Sequence, residues 1–281
     1  MKVVFIGSGN VATQLGLALK SKGIIISQIY SRTEENAKEL AEKLDTQYTS
    51  NISEIVQDAD MYIYALKDSQ LVNFLNKFDL PQEAIHVHTA GSIHISTFDG
   101  FAKKYGVFYP LQTFSKDKTV YFNQIPICIE SSTEQVHSEL EELAYLLTMK
   151  VYSLNSEQRR QLHLAAVFAC NFTNYMYDIA YEVIGKAGIG FEILHPLIME
   201  TANKVKTTTP FKAQTGPAIR YDKKTIKKHL WMLKEEPDFK KVYLELSNDI
   251  HKRHKKGKLE TTFSSKLTNK LFQLFFSKQN K

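Results

Sequence analysis

Short apolar runs alternate with helical patterns through the first half of the chain. The runs predict β-strands at residues 2–6, 24–30, 61–65, 85–88, 107–109, 126–130 and 150–154. Apolar residues at helical spacing predict α-helices at residues 10–22, 33–44 and 133–147. Because strands that alternate with helices are typical of a parallel sheet, we expect an α/β Rossmann domain with a doubly wound parallel sheet.

The pattern changes after about residue 155, where no further strands are predicted. Residues 156–184 form one long helical pattern, and helices are also predicted at 191–204, 225–233 and 237–252. We therefore expect a Rossmann domain over residues 1–155 and an all-α substrate and dimerisation domain over residues 156–281.

The long helix is apolar on more than one face, so other apolar surface must cover it. A second copy of the chain would supply it, and we expect a homodimer; the alternative cover is the chain's own C-terminal helices.

A glycine-rich loop joins the first strand to the first helix. It has the pattern G-x-G-x-x-A and consists of Gly7, Ser8, Gly9, Asn10, Val11 and Ala12. The first glycine permits a tight turn, the second lets the backbone approach a pyrophosphate, and the small alanine lets the helix pack closely on the sheet. The helix N-terminus adds free N–H groups and a positive dipole end. The loop predicts a dinucleotide site, the alternative being a glycine-bearing turn without a ligand.

The end of the second strand indicates which dinucleotide is bound. NAD-binding domains usually carry a carboxylate there, whereas this chain has Ser31, Arg32 and Thr33. Hydroxyl groups and a guanidinium favour a 2′-phosphate, and arginine can also stack on the adenine ring. The residues therefore predict NADP. An alternative role for Ser31 is a capping box with Glu34 at the start of the next helix.

Two further loops follow predicted strands at the same sheet edge, where ligands of such sheets bind. We expect Ala65, Leu66 and Lys67 to pass near the cofactor ribose. We expect Thr89, Ala90 and Gly91 to lie near the nicotinamide. His88 is a candidate proton donor because imidazole titrates near neutral pH. Its alternative role is that of a structural histidine on a buried strand.

Polar residues interrupt the small, apolar sequence of the long helix. His163, Asn171 and Asn174 are spaced to share roughly one helical face, which can line a cleft or be satisfied within a helical dimer. Arg220 can clamp a substrate carboxylate or pair with Asp222. We expect the active-site cleft to be lined by His88, Tyr109, Gln112, His163, Asn171 and Arg220.

Composition narrows the remaining function classes. The 281 residues are 43% hydrophobic and 23% charged, as in an ordinary globular protein, and no apolar run is long enough to span a bilayer. We expect a cytoplasmic protein whose two cysteines, Cys128 and Cys170, are buried free thiols. No metal-ligand spacing occurs, so no metal site is expected. The net charge is +6, and residues 252–258 form a basic run, but no aromatic residues interleave with it, so we do not expect nucleic-acid binding.

Several of these motifs resemble known reductases. The GSGNVA loop, the Ser-Arg-Thr segment and the helical second half look like pyrroline-5-carboxylate reductase. The segment that begins at Tyr109 resembles one of prephenate dehydrogenase. The combination with HTAGS, HLAAVFACNFTN and TGPAIRYD is closest to a bacterial Rossmann-like family whose helical C-terminal domain has unknown function. The resemblance implies an NADP-binding oxidoreductase fold with a C-terminal domain like that of 6-phosphogluconate dehydrogenase.

One departure from related enzymes bears on catalysis. β-Hydroxyacid dehydrogenases carry a lysine four residues before an asparagine on the first long helix of this domain, whereas Val167 precedes Asn171 here. That catalytic pair is therefore not transferred. The leading hypothesis is an NADP(H)-dependent oxidoreductase that acts on a small polar molecule, either an imine or a keto or hydroxy acid. The alternative is a non-catalytic NADP sensor.

Overall fold

The computed structural model describes residues 1–118 and 120–276, with side chains as far as residue 257. The chain divides into two compact units, Met1–Thr173 and Asn174–Lys281. The last strand ends at Ser153 and the next helix begins at Ser156, so the change from mixed to helical structure falls where the sequence predicts it. The first compact unit nevertheless extends to Thr173, and the functional boundary at residue 155 stays a prediction.

The first unit contains an eight-stranded sheet. Its strands are β1 (Lys2–Ile6), β2 (Ile25–Tyr30), β3 (Gln47–Thr49), β4 (Met61–Tyr64), β5 (Ile85–His88), β6 (Lys104–Pro110), β7 (Ile127–Ser131) and β8 (Val151–Ser153). Their order in the sheet is β3-β2-β1-β4-β5-β6-β7-β8. The strands from β1 to β6 are parallel, which confirms the Rossmann fold.

The sheet departs from the expected parallel arrangement at one edge. β7 runs antiparallel to β6, and β8 is parallel to β7. The described residues between β6 and β7 form no crossover helix but only a 3-10 turn, Phe122–Gln124. Parallel neighbours need a long crossover connection, whereas antiparallel neighbours do not.

Five helices accompany the sheet in the described part of the first unit. They are α1 (Asn10–Ser21), α2 (Glu34–Leu44), α3 (Asp68–Leu75), α4 (Glu134–Tyr145) and α5 (Ser156–Ala166). A π-helical segment, Val167–Phe172, continues α5. The sequence did not predict α3, because its helical pattern is short, or β3, which has three residues of which two are exposed.

The buried apolar residues form a core on each face of the sheet. Along β1, Val3 and Phe5 belong to the core that includes α1, α2 and α4. Val4 and Ile6 belong to the other core, which is rich in tyrosine and phenylalanine. Because both faces are covered, the edge formed by the carboxyl ends of the strands is left for a ligand. The strand order reverses direction between β1 and β4, and doubly wound sheets bind their ligands at such a switch point.

The helical region continues without a break from the π-helical segment. Its helices are α6 (Thr173–Gly185), α7 (His195–Lys204), α8 (Pro210–Ala213), α9 (Pro217–Arg220), α10 (Lys223–Met232) and α11 (Pro237–Phe276). Asp222 caps α10 by accepting a hydrogen bond from the Thr225 N–H at 3.1 Å. Across the described residues, no helix has the combination of length and apolar character needed to cross a membrane.

Candidate cofactor and active site

A cavity of about 720 Å³ opens beyond the carboxyl ends of β1, β4, β5 and β6. The loops after these strands form one side of it, and residues 162–171 of α5 and the π-helical segment form another. All of the lining residues belong to the first unit. Three segments expected near the cofactor contribute to it, namely residues 9–11, 65–67 and 89–91.

Gly7 lies where the backbones after β1 and β4 approach each other. Its φ angle is +117°, which disfavours any residue with a side chain. A β-carbon at this position would also overlap the carbonyl group of Ala65. Its N–H donates to the Tyr30 carbonyl at 2.8 Å, so the turn is tied to β2 as well.

Gly9 has the opposite environment. A β-carbon there would meet no protein atom within 4 Å, and the residue is exposed at the cavity just before α1. The first N–H groups of a helix have no partner within the helix. The space at Gly9 and the N-terminus of α1 therefore form a cradle that fits a pyrophosphate. Ala12 is fully buried behind it, as close packing of the helix requires.

Ser31, Arg32 and Thr33 follow β2, next to β1, but do not line the cavity itself. The capping box proposed for Ser31 does not form, because Thr33 is the N-cap of α2 and makes no side-chain capping bond. Arg32 is exposed, and among the described residues its guanidinium forms no ion pair. These three side chains are therefore available to a ligand that extends past the cavity.

His88, the candidate proton donor, is buried in the core and does not line this cavity. Its side chain is 1% exposed, lies outside the cavity lining and stacks on Phe98. Burial, with the Arg159 charge nearby, lowers the pKa of His88 to about 3, so the ring is neutral at physiological pH. Its Nδ1 accepts a hydrogen bond from the Ala90 N–H at 3.2 Å. His88 is thus a structural support of the 89–91 loop.

Tyr109 and His163 form a polar pair in the cavity wall. The Tyr109 hydroxyl and the His163 Nδ1 are 3.2 Å apart, within hydrogen-bond distance. Burial, together with Cys128 and Asp68, raises the pKa of Tyr109, and Arg159 opposes this increase. Gly91 packs against both rings, since a β-carbon at Gly91 would lie 2.5 Å from His163 Nδ1 and 2.9 Å from Tyr109 Cζ.

The π-helical segment brings Asn171 and Cys170 to the cavity. Cys170 is exposed, contrary to the expected buried thiol, whereas Cys128 is buried as expected. Asn174 does not join His163 and Asn171 in the lining and belongs to the second unit. π-Helical segments are rare and occur often at functional sites.

Gln112 and Lys67 lie at other parts of the lining. The Gln112 Oε1 accepts a hydrogen bond from the Thr113 N–H at 2.9 Å, which leaves its amide group free to donate. Lys67 precedes α3, whose first residue, Asp68, accepts a hydrogen bond from Ser92. This bond joins the loops after β4 and β5.

Arg220 belongs to the second unit and does not line this cavity. It is exposed at the end of α9, and the ion pair suggested with Asp222 is not found among the described residues. The Asp222 carboxylate instead bonds to Thr225. The role of Arg220 as a carboxylate clamp stays a prediction.

Sequence reasoning missed Arg159, which is fully buried at the start of α5. Its guanidinium pairs with Glu130 at 2.9 Å and donates to the carbonyl groups of Ala90 and Gly91 at 2.9 and 3.1 Å. A signal was present, because Arg159 and His163 are one helical turn apart and so share a face. Within the part of the chain that the structure describes, no cluster of histidine, cysteine or acidic residues could hold a metal.

An open glycine loop at the switch point of a Rossmann sheet defines a dinucleotide-binding protein. The family described as "NADP oxidoreductase coenzyme F420-dependent" matches residues 2–91. A domain of unknown function, DUF2520, matches residues 125–250. No curated protein is significantly similar in sequence.

Solved structures identify the family more fully. A proposed NADP oxidoreductase from Bacteroides fragilis is 48% identical, with a TM-score of 0.86 over 89% of this chain and 98% of that chain. The chain therefore belongs to this family of NADP oxidoreductases, and the prediction of NADP as the cofactor is confirmed.

Solved structures with lower sequence identity are similar to this chain in fold only. A pyrroline-5-carboxylate reductase from Streptococcus pyogenes is 15% identical, with a TM-score of 0.60 over 90% of this chain and 98% of that one. A reductive aminase from Aspergillus terreus, in complex with NADPH and ethyl 5-oxohexanoate, is 14% identical, with a TM-score of 0.69 over 92% of this chain and 94% of that one.

The open cradle at Gly9 generates a test of the phosphate loop. We expect Gly9→Val to weaken NADPH and NADH binding by about 100-fold or more, because the side chain would fill the space for the pyrophosphate. Its thermal unfolding midpoint should stay near that of the original protein, since a β-carbon at Gly9 meets no protein atom within 4 Å. Gly7→Val should lose both binding and stability. Retained binding in Gly9→Val, measured by fluorescence titration, would show that the cofactor lies elsewhere.

Proposed function

We propose that the protein transfers hydride between NADP(H) and the carbonyl or imine carbon of a small substrate, with Tyr109 and His163 managing the accompanying proton. The substrate would be an imine or a keto or hydroxy acid. The observation that carries the proposal is the 3.2 Å contact between Tyr109 and His163 in the wall of the cavity that begins at the phosphate loop.

The cofactor residues of this proposal follow the loops along one sheet edge. Residues 7–12 would hold the pyrophosphate, and Ser31, Arg32 and Thr33 the 2′-phosphate. Ala65, Leu66 and Lys67 would lie along the ribose, and Thr89, Ala90 and Gly91 would lie against the nicotinamide. The contact of Gly91 with both rings of the Tyr109–His163 pair would then bring that pair beside the reacting carbon.

NADPH, when bound, supplies the hydride, so the protein needs only to orient the reactants, exclude water and supply a proton. In reduction, the Tyr109 hydroxyl would donate its proton to the substrate oxygen or nitrogen, and His163 would return a proton from Nδ1 to the phenolate oxygen. Histidine suits this role because it is the side chain that most often transfers protons as a general acid or base. Asn171 and Gln112, which also line the cavity, would orient the polar group of the substrate.

One observation favours a second candidate, a non-catalytic NADP sensor. Val167 lines the cavity four residues before Asn171, where β-hydroxyacid dehydrogenases carry their lysine. A sensor would bind NADPH but would not oxidise it with any member of a panel of small ketones, 2-oxo acids and cyclic imines.

We also propose that the protein is a homodimer, assembled through its helical region. Large apolar side chains are exposed along this region, among them Leu164, Phe168, Phe172, Tyr181, Ile193, Leu197, Met199 and Trp231. Large apolar side chains exposed in such number are typical of an interaction surface. A second copy of the chain would cover it, because two-fold symmetry is the commonest closed assembly.

The first prediction from this proposal concerns the choice of cofactor. We expect NADPH to bind more tightly than NADH by about 1–3 kcal/mol, the contribution of one or two charged hydrogen bonds to the 2′-phosphate. Arg32→Ala should weaken NADPH binding and leave NADH binding nearly unchanged, as measured by calorimetry. Lys38→Ala, an exposed change on α2, is the matched control and should alter neither. Equal affinities for the two cofactors in the original protein would contradict the role of Arg32.

The second prediction concerns proton transfer. With the best substrate from the panel, His163→Gln and Tyr109→Phe should each lower kcat by about 100-fold or more, as loss of a general acid does. NADPH affinity should change little. His137→Gln and Tyr152→Phe lie outside the cavity and serve as controls. An unchanged kcat in both cavity variants would remove the pair from the mechanism.

The third prediction concerns assembly. Light scattering at micromolar concentration should give about twice the 32.2 kDa of one chain. Leu197→Glu should shift the mass toward one chain, because Leu197 is 63% exposed on α7. Val72→Glu, an equivalent change in the first unit, should not. A single-chain mass for the original protein would indicate that the chain's own helices provide the cover.

A further inference from the structure

The guanidinium of Arg159 is the centre of a buried hydrogen-bond network. Nη1 donates to the carbonyl groups of Ala90 and Gly91, at 2.9 and 3.1 Å. Nη2 donates to Glu130 at 2.9 Å and to the Ser156 hydroxyl at 3.0 Å. The arginine side chain is 1% exposed and that of Glu130 is 12% exposed, so both charges are largely removed from water.

Ser156 extends the network in two directions. Its hydroxyl donates to the Glu130 carboxylate at 2.8 Å and accepts from the Ile95 N–H at 3.0 Å. The backbone is therefore held at both ends of the loop after β5, at residues 90–91 by Arg159 and at residue 95 by Ser156. The side chains of α5 fix a loop that belongs to a different part of the sequence.

The stability of the fold does not explain the location of Arg159. It lies in the first turn of α5, where the helix dipole favours acidic residues. Burying an ion pair is itself costly and often adds little net stability compared with apolar residues of similar size. The network is therefore better explained by the loop that it holds than by the stability of the fold.

We propose that Arg159 is a positioning residue that, together with Glu130, fixes the backbone of residues 90–91 for the nicotinamide end of the cofactor. This inference rests on the proposed function of the cavity. Because Gly91 packs against His163 and Tyr109, the same network sets the distance between the nicotinamide surface and the proton-transfer pair. Arg159 itself does not line the cavity, so it would act through the loop and not by direct contact with the ligand.

The charges around Tyr109 support the proposed role of Arg159. His163 lies within hydrogen-bond distance of the Tyr109 hydroxyl, and the groups whose charges act on this hydroxyl are Arg159 on α5, Cys128 on β7 and Asp68 on α3. Burial, Cys128 and Asp68 raise the pKa of Tyr109, whereas Arg159 lowers it. The buried cation thus favours loss of the Tyr109 proton.

Two ligands distinguish an effect on the nicotinamide end of the site from an effect on the whole protein. NADPH reaches the whole site, whereas 2′,5′-ADP carries only the adenine and 2′-phosphate end. Arg159→Lys keeps the charge but cannot make both pairs of bonds, since a lysine ammonium lacks the planar fork of a guanidinium. We expect it to weaken NADPH binding about tenfold and to leave 2′,5′-ADP binding unchanged in calorimetric titrations.

A second variant keeps the test valid if Arg159→Lys does not fold. Glu130→Gln retains the shape of the side chain and removes the charge that holds Arg159, and it should show the same selective loss to a smaller extent. Arg160→Gln, on the exposed side of α5, is the matched control and should leave both affinities unchanged.

Two results would overturn the proposal. Equal weakening of both ligands would assign Arg159 to general stability, and unchanged NADPH binding in both folded variants would show that the network does not position the loop. Failure of the original protein to bind NADPH would instead contradict the proposed function of the cavity, which makes the two failures distinguishable.

Discussion

Close backbone packing at the carboxyl edge of the sheet is the constraint on which the site depends. The turn after β1 passes the loop after β4 so closely that Gly7 has no room for a β-carbon. The loop after β5 packs equally closely at Gly91, against His163 and Tyr109. These approaches bring three separate loops to one cavity, while the space at Gly9 stays open for a ligand. The same edge therefore combines tight contacts between protein atoms with one accessible cradle.

The sequence predicted this edge well because its signals are local. Glycine spacing, buried apolar strands and the residues after β2 depend on neighbours in the chain, and they indicated both the Rossmann fold and NADP. Features that depend on distant residues were harder to predict. The reversed direction of β7 follows a connection whose described residues contain no crossover helix, and the site at which Arg159 is buried depends on Glu130 and the 90–91 backbone.

His88 and His163 show the same limit of prediction from sequence. His88 ends a strand at the correct edge, which made it a reasonable candidate, but its ring turns into the core beside Phe98 and is neutral. His163 lies on a helix far away in the sequence, and its side chain lines the cavity. The alternation of residues along a strand does not show whether the ring at its end lies in the core or in the cavity. Helical spacing is more informative here, because it places His163 one turn from the buried Arg159.

The proposed function requires that the cavity holds the nicotinamide against residues 89–91, beside Tyr109 and His163. A crystal structure of the protein with NADPH tests this most directly. We expect the nicotinamide ring to pack on the Gly91 backbone. Its reactive carbon should face a space that is about 3–3.5 Å from both the ring and the Tyr109 hydroxyl, as a near-attack geometry requires. A nicotinamide bound outside this cavity, or an adenine ring in its place, would contradict the proposed role of residues 89–91, Tyr109 and His163.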